Sequence, residues 1–200
     1  MARALPLTPD ERRSTLLAAA RAVFGRQGYH QASIADVITE AGVARGTFYN
    51  HFESKRAVFH AVLEDLMDEV VAAVLPIAVD APIAPQVRDN FVRLIRVACD
   101  RDVVRLLFAE AVGIDDESDA LLREFYARAL GRIQTALELG AALGWVRPGD
   151  QALAARCLLG LVKEPLFQAT LRGEPVDAEA LADAVFSLLS AGLLLPPPSA

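Results

Sequence analysis

Residues 38–55 read ITEAGVARGTFYNHFESK, and this stretch constrains the fold more than any other. Ile34, Val37 and Ile38 give one face of a helix its apolar stripe, and Gly42 ends that helix. A second, short helix over about Arg45 to His51 begins only three residues later. Two helices joined that tightly must cross at a steep angle. The joint also needs a residue at ease with positive φ, which Gly42 supplies. Phe48 and Phe52, four residues apart, share one side of the short helix and should face inward, and Val43 should tuck in between the helices. The polar side chains between them then face outward. The spacing predicts a helix-turn-helix.

Such a hairpin is too small to bury its own apolar faces, so flanking helices are required. Thr8-Pro9-Asp10-Glu11 reads as a capped helix start, with Pro9 at the first helical position and Glu11 closing a capping box. Leu16, Leu17, Ala20, Val23 and Phe24 follow at helical spacing, and Gly28 is the expected stop. Ser33 with Asp36 repeats the start signal. Ser54 caps a long amphipathic helix. Its apolar pairs are Val58/Phe59, Val62/Leu63, Leu66/Met67, Val70/Val71 and Val74/Leu75, and Pro76 ends it. Glu64, Asp65, Asp68 and Glu69 form its solvated side.

Beyond it, residues 76–85 hold three prolines and read as a linker. Further helices are expected over about 86–100, 102–113, 117–143, 149–172 and 178–194. Pro165 should kink or break the fourth of these, and the tail should fray after Pro196. No strand pattern competes. The expectation is an all-α chain of about nine helices: a three-helix head at 1–56, joined by the long helix to a helical bundle within 57–200.

Charge separates the same two parts. Residues 1–56 carry eight Lys and Arg against five Asp and Glu, a net of +3, while 57–200 carry twelve against twenty-one, a net of −9. A basic head on an acidic body suits a protein whose head alone meets a polyanion. Cys99 and Cys157, the only cysteines, lie in apolar helical stretches without a CxxC, so two buried thiols are expected. The segment MARALPLTPDERR has no apolar core of secretory length, and no apolar run reaches a membrane span. A cytoplasmic location is expected.

The outward side chains of the short helix suit DNA. Arg45 can donate two hydrogen bonds to a guanine edge, and Gly46 lets the backbone approach closely. Thr47 offers a hydroxyl and a methyl, and Tyr49 offers a phenol to a phosphate. Asn50 and His51 extend the polar edge. Lys55 and Ser33 each stand at a helix start, where backbone N–H groups favour phosphate. The run SIADVITEAGVARGTFYNHFESKRAVF (33–59) resembles the DNA-binding head of the TetR family of bacterial transcriptional regulators. Ala41-Gly42-Val43, Gly46-Thr47-Phe48-Tyr49, His51-Phe52 and Ser54-Lys55 carry the resemblance, with Phe24-x-x-x-Gly28-Tyr29 before them. It covers about residues 8–59. The remainder is similar in layout, and VFSLLSAGL (185–193) is similar to the family's closing helix.

The resemblance implies a homodimer on a near-palindromic operator, usually a repressor, whose body binds a small molecule and so moves the two heads apart. By position, Ser33, Tyr49 and Lys55 match phosphate contacts. Arg45, Gly46, Thr47 and His51 match the positions that approach bases. The sequence departs from the family pattern twice. Ile38 stands where a small residue is usual, and Ala44 where Ser or Thr often caps the recognition helix.

In the body, AARCLLGLVKEPLF (154–167) and ALADAVFSLLSAGLLL (180–195) are apolar over more than one stripe. A helix apolar on two faces needs two partners, so the region of about 149–194 is expected to pack on a second subunit as a four-helix bundle, with Gly160 and Gly192 allowing close approach. Phe91, Phe108, Phe125, Tyr126, Trp145 and Phe167 are the large side chains available to line an effector pocket, and Cys99, Tyr126, Gln134 and Gln168 could orient a ligand in it. That lining points to a hydrophobic or aromatic effector. No HExxH, GxSxG, Walker loop, GxGxxG or di-iron E-x-x-H pair is present, and His30, His51 and His60 share no metal-ligand spacing. His30 and His60 read as surface or packing residues. No enzyme, metal or cofactor is expected. The alternative reading is a helical ligand-binding or adaptor protein that no longer binds DNA, against which Gly42, Tyr49 and Lys55 argue.

Overall fold

A computed structural model describes residues 8–78, 80–99, 106 and 113–195. Eight helices are found among them: α1 (Pro9–Gln27), α2 (Ile34–Ala41), α3 (Arg45–Tyr49), α4 (Lys55–Ala73), α5 (Ile83–Ala98), α6 (Asp116–Ala142), α7 (Gln151–Arg172) and α8 (Ala178–Gly192). The helix expected over 102–113 falls, apart from Leu106 and Gly113, outside the described residues. No strand occurs among those described; one isolated bridge joins Val146 and Leu194.

The caps read from the sequence are made. The Thr8 hydroxyl accepts from the Glu11 N–H at 3.2 Å while the Glu11 carboxylate accepts from the Thr8 N–H at 2.7 Å. Ser33 and Asp36 repeat this box at α2, and the Ser54 hydroxyl accepts from the Ala57 N–H at 3.0 Å. Each such cap is worth about 0.5–2 kcal/mol. Gly42 closes α2 at φ 64°, in the left-handed region that a β-carbon disfavours.

Two apolar clusters hold the chain. The first gathers Leu16, Ala20, Val23 and Phe24 of α1, Val37 of α2, Phe48 of α3, Phe52, and Val58 through Met67 on the inner side of α4. It continues without a break into Leu122 and Phe125 of α6, so α4 serves head and body alike. Phe24 meets Phe59 edge-on at 5.2 Å between ring centroids. The second cluster joins Val92 and Ile95 of α5, Leu137 of α6, Val146, the inner side of α7 (Ala155, Leu158, Val162, Leu166) and Ala182, Val185 and Leu189 of α8.

Several expectations change in detail. The long helix stops at Ala73, so Val74 and Leu75 are exposed rather than packed. Asn90 of α5 holds this end: its side-chain amide accepts from the Leu75 N–H at 3.0 Å and donates to the Leu75 carbonyl at 2.8 Å. Helix α5 begins at Ile83, inside the expected linker, because Pro85 falls in a first turn where a missing N–H costs nothing. Asp68 and Glu69 are not merely solvated. They pair with Arg128 of α6 at 3.7 Å and Arg21 of α1 at 2.9 Å.

Helix α7 runs through Pro165 without a break. Pro165 lies on the exposed side of the helix, and the helix is held by inward Val162 and Leu166 on either side of it. Nor are both thiols buried. Cys99 is partly exposed and Cys157 is exposed, because Cys157 lies on the face of α7 turned away from the second cluster.

Candidate nucleic-acid interface

Helix α3 has only five residues and no side-chain cap on Ala44, so packing must hold it. Phe48 is fully buried and Phe52 nearly so. Burying two such rings supplies about 1.5–3 kcal/mol each, which outweighs the missing cap. The inward role read for both phenylalanines is what the structure shows.

With those rings inward, Arg45, Gly46, Tyr49 and Asn50 are exposed and Thr47 and His51 are half-exposed. Arg45 and Tyr49, one turn apart, associate before any ligand arrives. The guanidinium carbon lies 5.5 Å from the ring centre and Arg45 Nη2 lies 3.5 Å from the Tyr49 hydroxyl. A β-carbon built on Gly46 would meet nothing within 4 Å. The fold therefore does not demand glycine there, and the space is open to something outside the chain.

Lys55, at the first position of α4, is half-exposed. Its ammonium sits 4.5 Å from the centre of the Tyr29 ring and donates to the His30 carbonyl at 3.3 Å. Partial burial lowers its pKa, and the ring and carbonyl fix where its charge stands. Ser33 is exposed, but its hydroxyl already donates to the Asp36 carboxylate at 2.7 Å. That bond and the backbone bond from Ser33 lower the pKa of Asp36. A phosphate contact by the Ser33 hydroxyl as donor would require that bond to be given up, whereas the nearby helix N-terminus needs no such exchange.

One cation was not read from the sequence. Arg13 of α1 places its guanidinium carbon 5.4 Å from the centre of the Phe52 ring, just beyond the end of α3. No local pattern marks it. It is one of two adjacent arginines near the start of α1, and only the packing of α1 against the α3–α4 turn brings it there.

The candidate effector residues are divided. Phe91 and Cys99 pack against the second cluster, whereas Phe125 belongs to the first with Tyr126 beside it. Burial pushes the Tyr126 phenol up to about 12, and burial, with Asp177 adding to it, raises the Cys99 thiol. Of the set, Tyr126 alone lines the shallow cleft of about 360 Å³ between α6 and α7, with Leu130, Arg156, Leu159, Gly160 and Lys163. Gln134 and Gln168 are not buried orienting groups. Each amide donates to a carboxylate one turn away on its own helix, Glu138 and Glu164, at 2.8 Å. Phe167 and Trp145 are partly exposed, and Phe108 lies outside the described residues. No group of three or more His, Cys, Asp or Glu suited to a metal occurs among the described residues, and none of their helices is long and apolar enough to cross a membrane.

Comparison with known proteins bears on this geometry. The family model described as "Bacterial regulatory proteins, tetR family" matches residues 16–62. The chain is 43% identical over 68 residues to the HTH-type transcriptional activator FasR of Mycolicibacterium smegmatis, covering 34% of this chain and 31% of that protein. It is 35% identical over 68 residues to the HTH-type transcriptional repressor KstR2 of the same organism, covering 34% and 33%. In these high-identity matches the chain thus spans about a third of the relative's length. Similarity to the fatty acid metabolism regulator protein of Bacillus subtilis is lower, 23%, but extends over 89% of this chain and 93% of that one. In structure, the transcriptional regulator FadR of Bacillus subtilis in complex with stearoyl-CoA superposes with a TM-score of 0.78 at 22% identity, covering 90% of this chain and 98% of that one.

Proposed function

For this chain, a member of the TetR family of bacterial transcriptional regulators, we propose ligand-responsive repression of transcription. Two copies bind a near-palindromic operator. Arg45, Gly46, Thr47 and His51 approach base edges, with Asn50 at their border, and Ser33, Tyr49 and Lys55 hold phosphates. The observation that carries this reading is the α3 surface: buried Phe48 and Phe52 beneath, the associated Arg45 and Tyr49 above, and open space over Gly46. A short helix with that surface enters a major groove with its N-terminal end toward the bases. The head is 1–56, and 57–200 carries effector binding and dimerisation.

The second copy packs on α7 and α8. Leu153 and Leu171 of α7 and Leu188 of α8 are each more than half exposed in the single chain, along the sides turned away from the second cluster. Pairing those sides in a four-helix bundle removes them from water. The effector is a small hydrophobic or aromatic compound. The similar regulators of Bacillus subtilis are the fatty acid metabolism regulator protein and FadR, the latter in complex with stearoyl-CoA, so long-chain acyl thioesters are the first compounds to try. An effector must bind one arrangement of the body better than the other to shift anything. It acts by moving the two recognition helices away from the spacing of about 34–36 Å, or a multiple of it, that successive major grooves require.

The test is selection of random duplex DNA by the purified protein, followed by titration of the enriched site. A near-palindromic site whose binding weakens on Arg45→Ala and on Tyr49→Ala, and which stearoyl-CoA releases, is the expected result. Failure of the folded protein to enrich any site, including after refolding free of co-purified ligand, would sink the reading.

A further inference from the structure

At the junction of head and body lies a polar group that none of the functions above uses. His60, on the head half of α4, exposes only 12% of its side chain. Its Nε2 lies 3.1 Å from the Ser118 hydroxyl, and Ser118, on the first turn of α6, is fully buried, the one buried polar residue among those described. Asp115, the cap of α6, accepts from the Ser118 N–H at 2.7 Å and stands 3.7 Å from His60 Nε2. Glu117 stands 3.5 Å from His60 Nδ1 and 3.8 Å from Arg56.

The group reaches the DNA-facing side. Asp115 acts on the Tyr29 phenol, whose pKa is raised by burial first and by Asp115 second. Tyr29 is the ring over which the Lys55 ammonium sits.

Around these residues the head and body are joined by apolar packing. Phe59, Val62, Leu63 and Leu66 of α4 share one cluster with Leu122 and Phe125 of α6. Apolar contact has little directional preference and tolerates small rotations. A buried hydrogen bond does not. A different setting of α4 against α6 breaks the bond and takes this partner from the buried Ser118 hydroxyl, and unpaired buried groups are costly. A polar contact inside an apolar seam is a known way of fixing register.

We infer that His60, through its bond to Ser118 at the Asp115-capped start of α6, is the positioning residue that fixes the angle of the DNA-binding head on the body, and so the operator spacing that the dimer accepts. The inference rests on the operator-binding reading above. His60 touches no DNA in this role and acts only through α4.

The experiment uses the full chain and a panel of operators with identical half-sites and the spacer lengthened or shortened by one or two base pairs. The wild type should discriminate sharply between its own spacing and its neighbours. His60→Leu should lose that discrimination by roughly five-fold or more, the scale of one buried hydrogen bond, while affinity for a single half-site stays unchanged. His60→Gln, whose amide can still reach Ser118, should keep most of it. Unchanged discrimination in His60→Leu overturns the inference, as does an equal loss in His60→Gln, which would mean that ring packing and not the bond is at work.

If the wild type binds no operator, the regulator reading fails by itself. The positioning role is then decided without DNA. Spin labels at Glu53→Cys on the head and Ala136→Cys on α6, with Cys99 and Cys157 replaced by Ser and the labelled chain mixed with excess unlabelled protein, report the head-to-body distance within one chain. A single narrow distance that broadens in His60→Leu supports the role, and equal widths overturn it.

Discussion

A glycine with empty space over it separates the demands of folding from those of binding. Gly46 lies on a helix, where alanine is favoured by about 1 kcal/mol, and nothing in the chain crowds its β-carbon. Gly46→Ala is therefore expected to leave the melting temperature unchanged or raise it, while weakening operator binding by an order of magnitude or so, since one methyl group separates the backbones. Equal DNA affinity would show that the backbone is not approached there. The neighbouring residue carries the opposite lesson. Ala44 has the extended backbone of a cap but no capping hydroxyl, so Ala44→Ser should raise stability by about 0.5–2 kcal/mol in a denaturant titration. Tyr126 supplies a pH dependence. Its folded pKa of about 12 lies above the ordinary tyrosine value, so the unfolded chain loses this proton first as pH rises. Stability is complete below pH 10 and falls between about pH 10 and 12. Tyr126→Phe should flatten that alkaline fall in melting temperature.

At the scale of elements, the turn between α6 and α7 depends on one close approach. A β-carbon on Gly140 would stand 2.6 Å from Val146 Cγ2, and the Trp145 and Val146 N–H groups both donate to the Gly140 carbonyl, at 2.8 and 3.1 Å. The same turn pairs with the end of α8: the Arg147 N–H donates to the Leu193 carbonyl at 2.9 Å and the Leu195 N–H to the Trp145 carbonyl at 2.8 Å. Gly140→Ala must shift Val146 within the second cluster, and should cost about 1–3 kcal/mol by chemical denaturation. An unchanged midpoint would show that the turn relaxes freely. The helix caps and the Gly42 joint were legible in the sequence because a cap is local: donor, acceptor and turn lie within four residues. The Gly140 contact was not, because nothing near Gly140 in the chain announces that a valine six residues later folds back over it.

For the whole molecule, the proposed dimer predicts a change at Cys157. The thiol is exposed in the single chain and lies one turn from exposed Leu153 on α7. If α7 and α8 pair with a second copy, labelling of Cys157 by a thiol reagent should be slow in the dimer and accelerate on dilution below its dissociation constant. Rapid labelling of an intact dimer would place the interface elsewhere.

The all-helical order, the helix-turn-helix and the inward pair Phe48 and Phe52 were determined by the sequence itself. Each rests on periodicity and turn chemistry within one or two helical turns, and there the physics is short-ranged. What only the tertiary structure decided lies between elements far apart in the chain. His60 read as an ordinary surface or packing residue, yet it meets Ser118 fifty-eight positions later. Gln134 and Gln168 read as candidate buried groups, yet each turns to a carboxylate on its own surface. Helical spacing shows which residues share a face but not which helix covers that face. That depends on how all the helices pack at once, because each apolar side can be buried only where another is free to meet it.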